Sequence, residues 1–212
     1  MKTSDLVNAL AADNWTPPPI WDRKATWLMR SGMIISVMIF FVYLGVRPDF
    51  FTAIFDPHVV FKFIFTGSMI LIAARFASSL LRPGQSHSSH LWWMALPLLT
   101  LAFGALAQML TSPADYWLSG LVGRYPNACL KNIPILASAP FICLMIISRN
   151  GAPTSPSLAG LWIGALSGAL GASLYALHCP DDSALFVATW YSLAIMITSV
   201  IGMIIGARVL KW

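Results

Sequence analysis

The reactive side chains of this chain are few: three cysteines, Cys129, Cys143 and Cys179, and four histidines. A thiolate is the nucleophilic and soft-metal-binding form of cysteine. Cys129 and Cys179 stand far apart with no Cys-X-X-Cys between them, so spacing alone does not choose their chemistry. They can close into a disulfide, bind a soft metal as a thiolate pair, or stand unrelated. His178 precedes Cys179, and Asp181 and Asp182 follow it in the segment HCPDDS. Together these residues offer a nitrogen, sulfur and oxygen ligand set. Cys143 lies in an apolar run and reads as a small packing residue. His58, and the pair His87 and His90 in SHSSH, read as solvated loop residues.

The elements that must position the thiols follow from composition. Of 212 residues 58% are hydrophobic and only 10% charged. Soluble domains carry roughly a quarter of their residues as charges, so a soluble enzyme, a nucleic-acid binder and a disordered tail are excluded. A bilayer-spanning helix takes about 20 apolar residues. Six such runs occur, at 27–46, 59–81, 91–110, 133–147, 158–177 and 184–207. The expected fold is an all-α integral membrane bundle of six transmembrane helices, preceded by a tail, residues 1–26. The fourth run is the shortest and contains Pro134 and Pro140. Short connections rich in Pro and Gly join the runs.

Charge placement orients the bundle. The net charge is +5, and all eight acids are Asp. Nine of the thirteen basic residues (Lys2, Arg23, Lys24, Arg30, Arg75, Arg82, Arg149, Arg208 and Lys211) fall on the side of the termini; Arg47, Lys62, Arg124 and Lys131 fall on the other. The positive-inside rule then puts both termini in the cytoplasm and Cys129 and Cys179, in the third-to-fourth and fifth-to-sixth loops, outside. Lys62 and Arg75 lie toward opposite ends of the second run, where each can snorkel to an interface.

Two further patterns bear on partners. Gly160, Gly164 and Gly168 repeat at four-residue spacing, with Gly202 and Gly206 in the last run. Such spacing permits close helix contact in lipid, within one chain or between two as a homodimer. The tail begins MKTSDLVNALAAD, where Thr3 or Ser4 can cap a short helix. Leu6, Val7 and Leu10 give that helix an apolar stripe suited to a partner groove or a membrane surface. Pro17–Pro19 form a stiff spacer to the first run.

Several segments carry a resemblance: MKTSDLVNALAAD, LGVRPDF, CLKNIPILASAP, RNGAPTSPSLAG and YALHCPDDSALFVATWYSLAI, in that order along the chain. They resemble the NrsF family (negative regulator of sigma F). The resemblance implies a non-enzymatic anti-sigma factor of the bacterial inner membrane. Its cytoplasmic tail would hold an extracytoplasmic-function sigma factor, with Leu6, Val7 and Leu10 as the binding residues. It would contact the bilayer but no nucleic acid directly. Cys129 and Cys179 match the family's outward cysteines and would sense metal or oxidative stress, with His178, Asp181 and Asp182 as auxiliary ligands or proton acceptors. No cofactor is required, beyond a soft metal ion transiently held at the two thiols. The alternative is a small transporter or thiol-redox membrane protein moving, for instance, a soft metal. The lack of Cys-X-X-Cys and of mid-membrane ionisable residues disfavours it.

Overall fold

The computed structural model describes residues 3–5, 7, 23–81, 92–151 and 153–211. Among the described residues, six helices are long and apolar enough to cross a membrane. They are α1 (Arg23–Tyr43), α2 (Pro57–Leu80), α3 (Ala95–Thr111), α4 (Pro126–Ser148), α5 (Pro156–Ala176) and α6 (Ala184–Val209). A short helix, Asp115–Val122, sits between α3 and α4, and another, Phe50–Ala53, between α1 and α2. Leu6 and Leu10 lie outside the described residues, as do His87 and His90. Residues 3–5 and 7 of the tail are helical and exposed.

The fourth span is longer than its apolar run: it occupies Pro126–Ser148 rather than 133–147. Proline explains the difference. Pro57, Pro126 and Pro156 stand at helix starts, where the missing N–H has no partner to lose. Asp56 caps α2 by accepting from the His58 N–H at 2.8 Å. Pro134 and Pro140 then lie inside α4 without ending it. A proline frees the carbonyl four residues earlier, which for Pro140 belongs to Leu136. The Ser36 hydroxyl of α1 donates to that carbonyl at 2.6 Å. In a bilayer core, where water cannot serve, a side chain of a neighbouring helix is what makes an internal proline tolerable.

Helix α5 is the centre of the bundle, packed against α2, α4 and α6, while α1 leans chiefly on α4. Lipid is as apolar as leucine, so helices gain by close contact rather than by escaping water. The glycine stripe supplies that contact within one chain. A Cβ on Gly160 would strike the Gly202 carbonyl, and one on Gly164 would lie 2.8 Å from the Ser199 Cα. On another face of α5, a Cβ on Gly171 would lie 2.6 Å from the Ile133 carbonyl oxygen of α4. Along α1, Ala25, Gly32, Ser36 and Phe40 are buried on one face, with Gly32 against the Cys143 side chain. Cys143 is thus a packing residue. The outward faces expose Ile34, Met38, Phe41, Leu71, Leu98 and Phe103, as lipid-facing surfaces should. Helix α3 is peripheral and touches α2 and the first turn of α6.

Two outcomes follow for stability in detergent. Ser36→Ala should cost about 0.6–1.7 kcal/mol, the range for interhelical hydrogen bonds in membrane proteins. In a Pro140→Ala background, which returns an N–H to the Leu136 carbonyl, the same change should cost almost nothing; strictly additive losses would refute the pairing. Gly164→Val should destabilise by about 1–3 kcal/mol through overpacking. Gly67→Ala, with no neighbour within 4 Å of the added carbon, should be tolerated.

Candidate functional site

The site is built around the connection between α5 and α6, residues 177–183. Helix α5 ends with the Tyr175 carbonyl accepting from the N–H groups of both His178 and Cys179, each at 3.0 Å. This turns the Cys179 side chain into the bundle, where it has no exposed surface. Cys129 lies in the first turn of α4, not in a loop, and is equally buried. The two sulfurs share one apolar cluster with Tyr175, Phe186, Val187 and Tyr191. The expectation of loop thiols facing the aqueous space is therefore corrected: both lie at the end of the bundle where α1 ends and α2 begins, and inside it. All three cysteines are free thiols.

Each residue of HCPDDS except Pro180 is tied to another segment. His178 Nδ1 lies 2.9 Å from the Gly45 carbonyl oxygen. Asp181 accepts from the N–H groups of Arg124 at 3.2 Å and Tyr125 at 3.1 Å. Asp182 accepts from Lys62 Nζ at 2.6 Å and from Arg47 Nη1 at 2.9 Å. Ser183 receives a hydrogen bond from the Gln108 amide at 2.9 Å. His178, Asp181 and Asp182 thus brace the loop, and among the described residues no group of three or more His, Cys, Asp or Glu side chains is placed to hold a metal ion. Of the tail residues named above, Val7 alone is described, and it is exposed.

Lys62 departs furthest from expectation. It does not snorkel to an interface; its side chain is 0% exposed and donates to the Cys179 carbonyl at 3.0 Å as well as to Asp182. Arg47 donates to the same carbonyl at 3.4 Å, and its own N–H reaches the Leu177 carbonyl at 3.1 Å. The rest of its guanidinium fork grips Asp49, at 2.7 and 2.6 Å. That contact holds the Asp49 carboxyl down to about 2. Burying an ammonium is costly, and removing one partner of such a pair strands the other.

This surrounding sets the state of the Cys179 thiol. A hydrogen bond from the Cys129 thiol and the nearby Lys62 charge favour the thiolate over the opposing effect of burial, and lower its pKa to about 7 from an ordinary 9.0.

Helix α6 contributes the remaining wall. Its second segment, Val187–Tyr191, is a π turn. The extra residue in such a turn shifts side chains around the helix, and these turns recur at functional sites. Here Val187 and Tyr191 point inward. The Tyr191 ring lies 6.1 Å from that of Tyr175, and its buried hydroxyl has no well-formed hydrogen bond. Gln108 of α3 accepts from the Ala184 and Leu185 N–H groups at 2.6 and 3.2 Å, capping α6 from outside. Gly123 admits Phe186: its φ is +65°, and a Cβ there would strike that ring. Arg47, Lys62, Gln108, Tyr175 and Tyr191 were not identified as site residues from sequence. Lys62 had left a signal, since a lysine inside an apolar run calls for a carboxylate partner.

The electrostatics give a direct test. Alkylation of Cys179, in a Cys143→Ser background, should speed up as pH rises through about 7. Lys62→Met removes a charge that favours the thiolate, so the midpoint should move toward 9; an unmoved midpoint would refute the coupling. Asp182→Asn strands a buried ammonium and should destabilise the fold by about 3–5 kcal/mol.

A family model described as negative regulator of sigma F matches residues 10–212. An anti-sigma-F factor, NrsF, of Caulobacter vibrioides (strain NA1000 / CB15N) is 34% identical over 217 aligned residues, which cover 100% of both chains. A probable anti-sigma-F factor, NrsF, of Azospira oryzae (strain ATCC BAA-33 / DSM 13638 / PS) is 29% identical, again over 100% of both. No solved structure matches the chain. The chain belongs to the NrsF family.

Proposed function

We propose that this member of the NrsF family is a membrane-bound anti-sigma factor that holds an extracytoplasmic-function sigma factor through residues 1–26 and releases it when Cys129 and Cys179 react. Both curated relatives carry the name anti-sigma-F factor and align over their full length. The uneven division of basic residues supports an orientation with both termini in the cytoplasm of a bacterial inner membrane and the thiol pair toward the periplasm. Leu6, Val7 and Leu10, spaced in the sequence as one side of a short helix, are the residues assigned to the sigma factor.

The observation that carries this reading is the bracing of the Cys179 loop. The segment around one reactive thiol is bonded through the His178 ring to the Gly45 carbonyl and through the Leu177 and Cys179 carbonyls to Arg47, just past the end of α1, and α1 leads back to the tail. Disulfide formation would withdraw two electrons and two protons from the pair into an oxidant and draw the sulfurs together. A soft metal ion bound by both thiolates would displace their protons and occupy space between them. Either change bears on a packed core that has no room to absorb it, so the helices must rearrange. Release then requires that the reacted and unreacted bundles differ in affinity for the sigma factor.

Leu6→Asp or Leu10→Asp should abolish co-purification of the sigma factor and raise transcription from its promoters without any inducer. Loss of a buried anchor weakens a complex by roughly 2 kcal/mol or more, about thirty-fold in Kd. Persistent repression would show that these leucines do not bind it. Cys129→Ser and Cys179→Ser should keep repression and lose the response to oxidant or soft metal; a response left intact would remove the thiols from the mechanism.

A further inference from the structure

The two basic residues of α2 meet opposite fates. Lys62 is buried and paired with Asp182, whereas Arg75 is exposed and, among the described residues, has no carboxylate within ion-pair reach. A charge inside a span is costly unless something answers it. Arg75 stands five residues before the end of α2 at Leu80, roughly 7–8 Å along the axis, at the end opposite the thiols. Its guanidinium lies 6.0 Å from the centre of the Trp93 ring at the foot of α3.

Between the two helices runs a groove of about 360 Å³, with Arg75 and Ser78 on its wall and Leu71, Phe76, Trp93 and Leu96 among its apolar lining. That volume falls in the range of small-molecule sites, roughly 300–1,000 Å³. One wall is fixed from behind, because Phe76 stacks on Trp162 of α5 with ring centres 4.5 Å apart. The groove persists because α3 is held to α2 at few points, with Gln108 fastening its far end to α6.

We propose that this groove binds one anionic phospholipid, whose headgroup phosphate pairs with Arg75 while an acyl chain lies along Leu71, Phe76 and Leu96. Charge complementarity selects the occupant: a cation with no carboxylate partner among the described residues, above mostly apolar walls, matches a single phosphate above a hydrocarbon chain. Basic pockets between transmembrane helices recognise lipid headgroups in this way. Trp93 stands at the end of a candidate span, as interfacial tryptophans do. The site is independent of the cysteine pair and of the sigma-factor assignment.

Native mass spectrometry of the full chain in neutral detergent, titrated with phosphatidylglycerol or phosphatidylcholine, tests this. The wild type should retain one phosphatidylglycerol in preference to phosphatidylcholine. Arg75→Gln should cut that preference about five-fold, the value of one basic residue at a membrane surface. Arg75→Lys should preserve most of it. Leu96→Trp, which fills the groove and keeps the charge, should lose the bound lipid while Arg75→Lys does not. Equal retention of both lipids, or an unchanged preference in Arg75→Gln, overturns the proposal. Displacement by excess inorganic phosphate would make this a phosphate site and overturn the lipid assignment, as would a second copy of the chain appearing in place of lipid adducts.

Discussion

An ammonium with no exposed surface persists in a membrane bundle because a carboxylate faces it. Lys62 reaches that carboxylate, Asp182, from a helix that is distant in sequence, and the pair fixes where the α5–α6 connection lies. Arg47 joins from the end of α1 and shares both of Lys62's acceptors. Three segments are thus drawn to one point. The Cys179 carbonyl is one of the acceptors at that point, while the turn that ends α5 directs its sulfur inward.

The same requirement operates along the rest of the bundle. Ser36 serves the carbonyl that Pro140 frees, Gln108 serves the first N–H groups of α6, and Asp181 serves those of Arg124 and Tyr125. Each is a side chain of one element meeting the main chain of another. The glycine contacts between α5 and α6 let the helices approach, but contacts of backbone with backbone would survive a slip of one turn. Directed bonds of this kind would not, so they fix the register that close packing alone leaves free.

Much of this was legible in the residues. Apolar runs located all six helices, the glycine stripe marked a close helix contact without saying whether it lay within one chain, and HCPDDS marked the loop that carries the site. The shortened fourth span shows where such reading fails. Asn127, Lys131 and Asn132 dilute the apolar signal, while Pro126 reads as a breaker although it begins the helix. Burial was harder still, because lipid and protein core select the same side chains. Leu136, which is buried, and Leu98, which faces lipid, look alike in sequence. Lys62 and Arg75 were given the same role for that reason, and only the folded partners separate them. Gln108 and Tyr191 carried no local sign, since their roles depend on helices far along the chain.

The span of chain between Lys62 and Asp182 has a consequence for biogenesis. They are 120 residues apart, and ribosomes add roughly 5–20 residues per second. For something on the order of ten seconds, α2 is therefore made and inserted before its counter-ion exists. During that interval the ammonium must stay at the lipid headgroups or inside the insertion machinery, with α2 displaced from its final depth. Helix α5, around which the others gather, is also among the last to be made. Contacts of α1 with α4 and of α2 with α3 can form first, but late synthesis both supplies the centre of the bundle and neutralises the waiting charge.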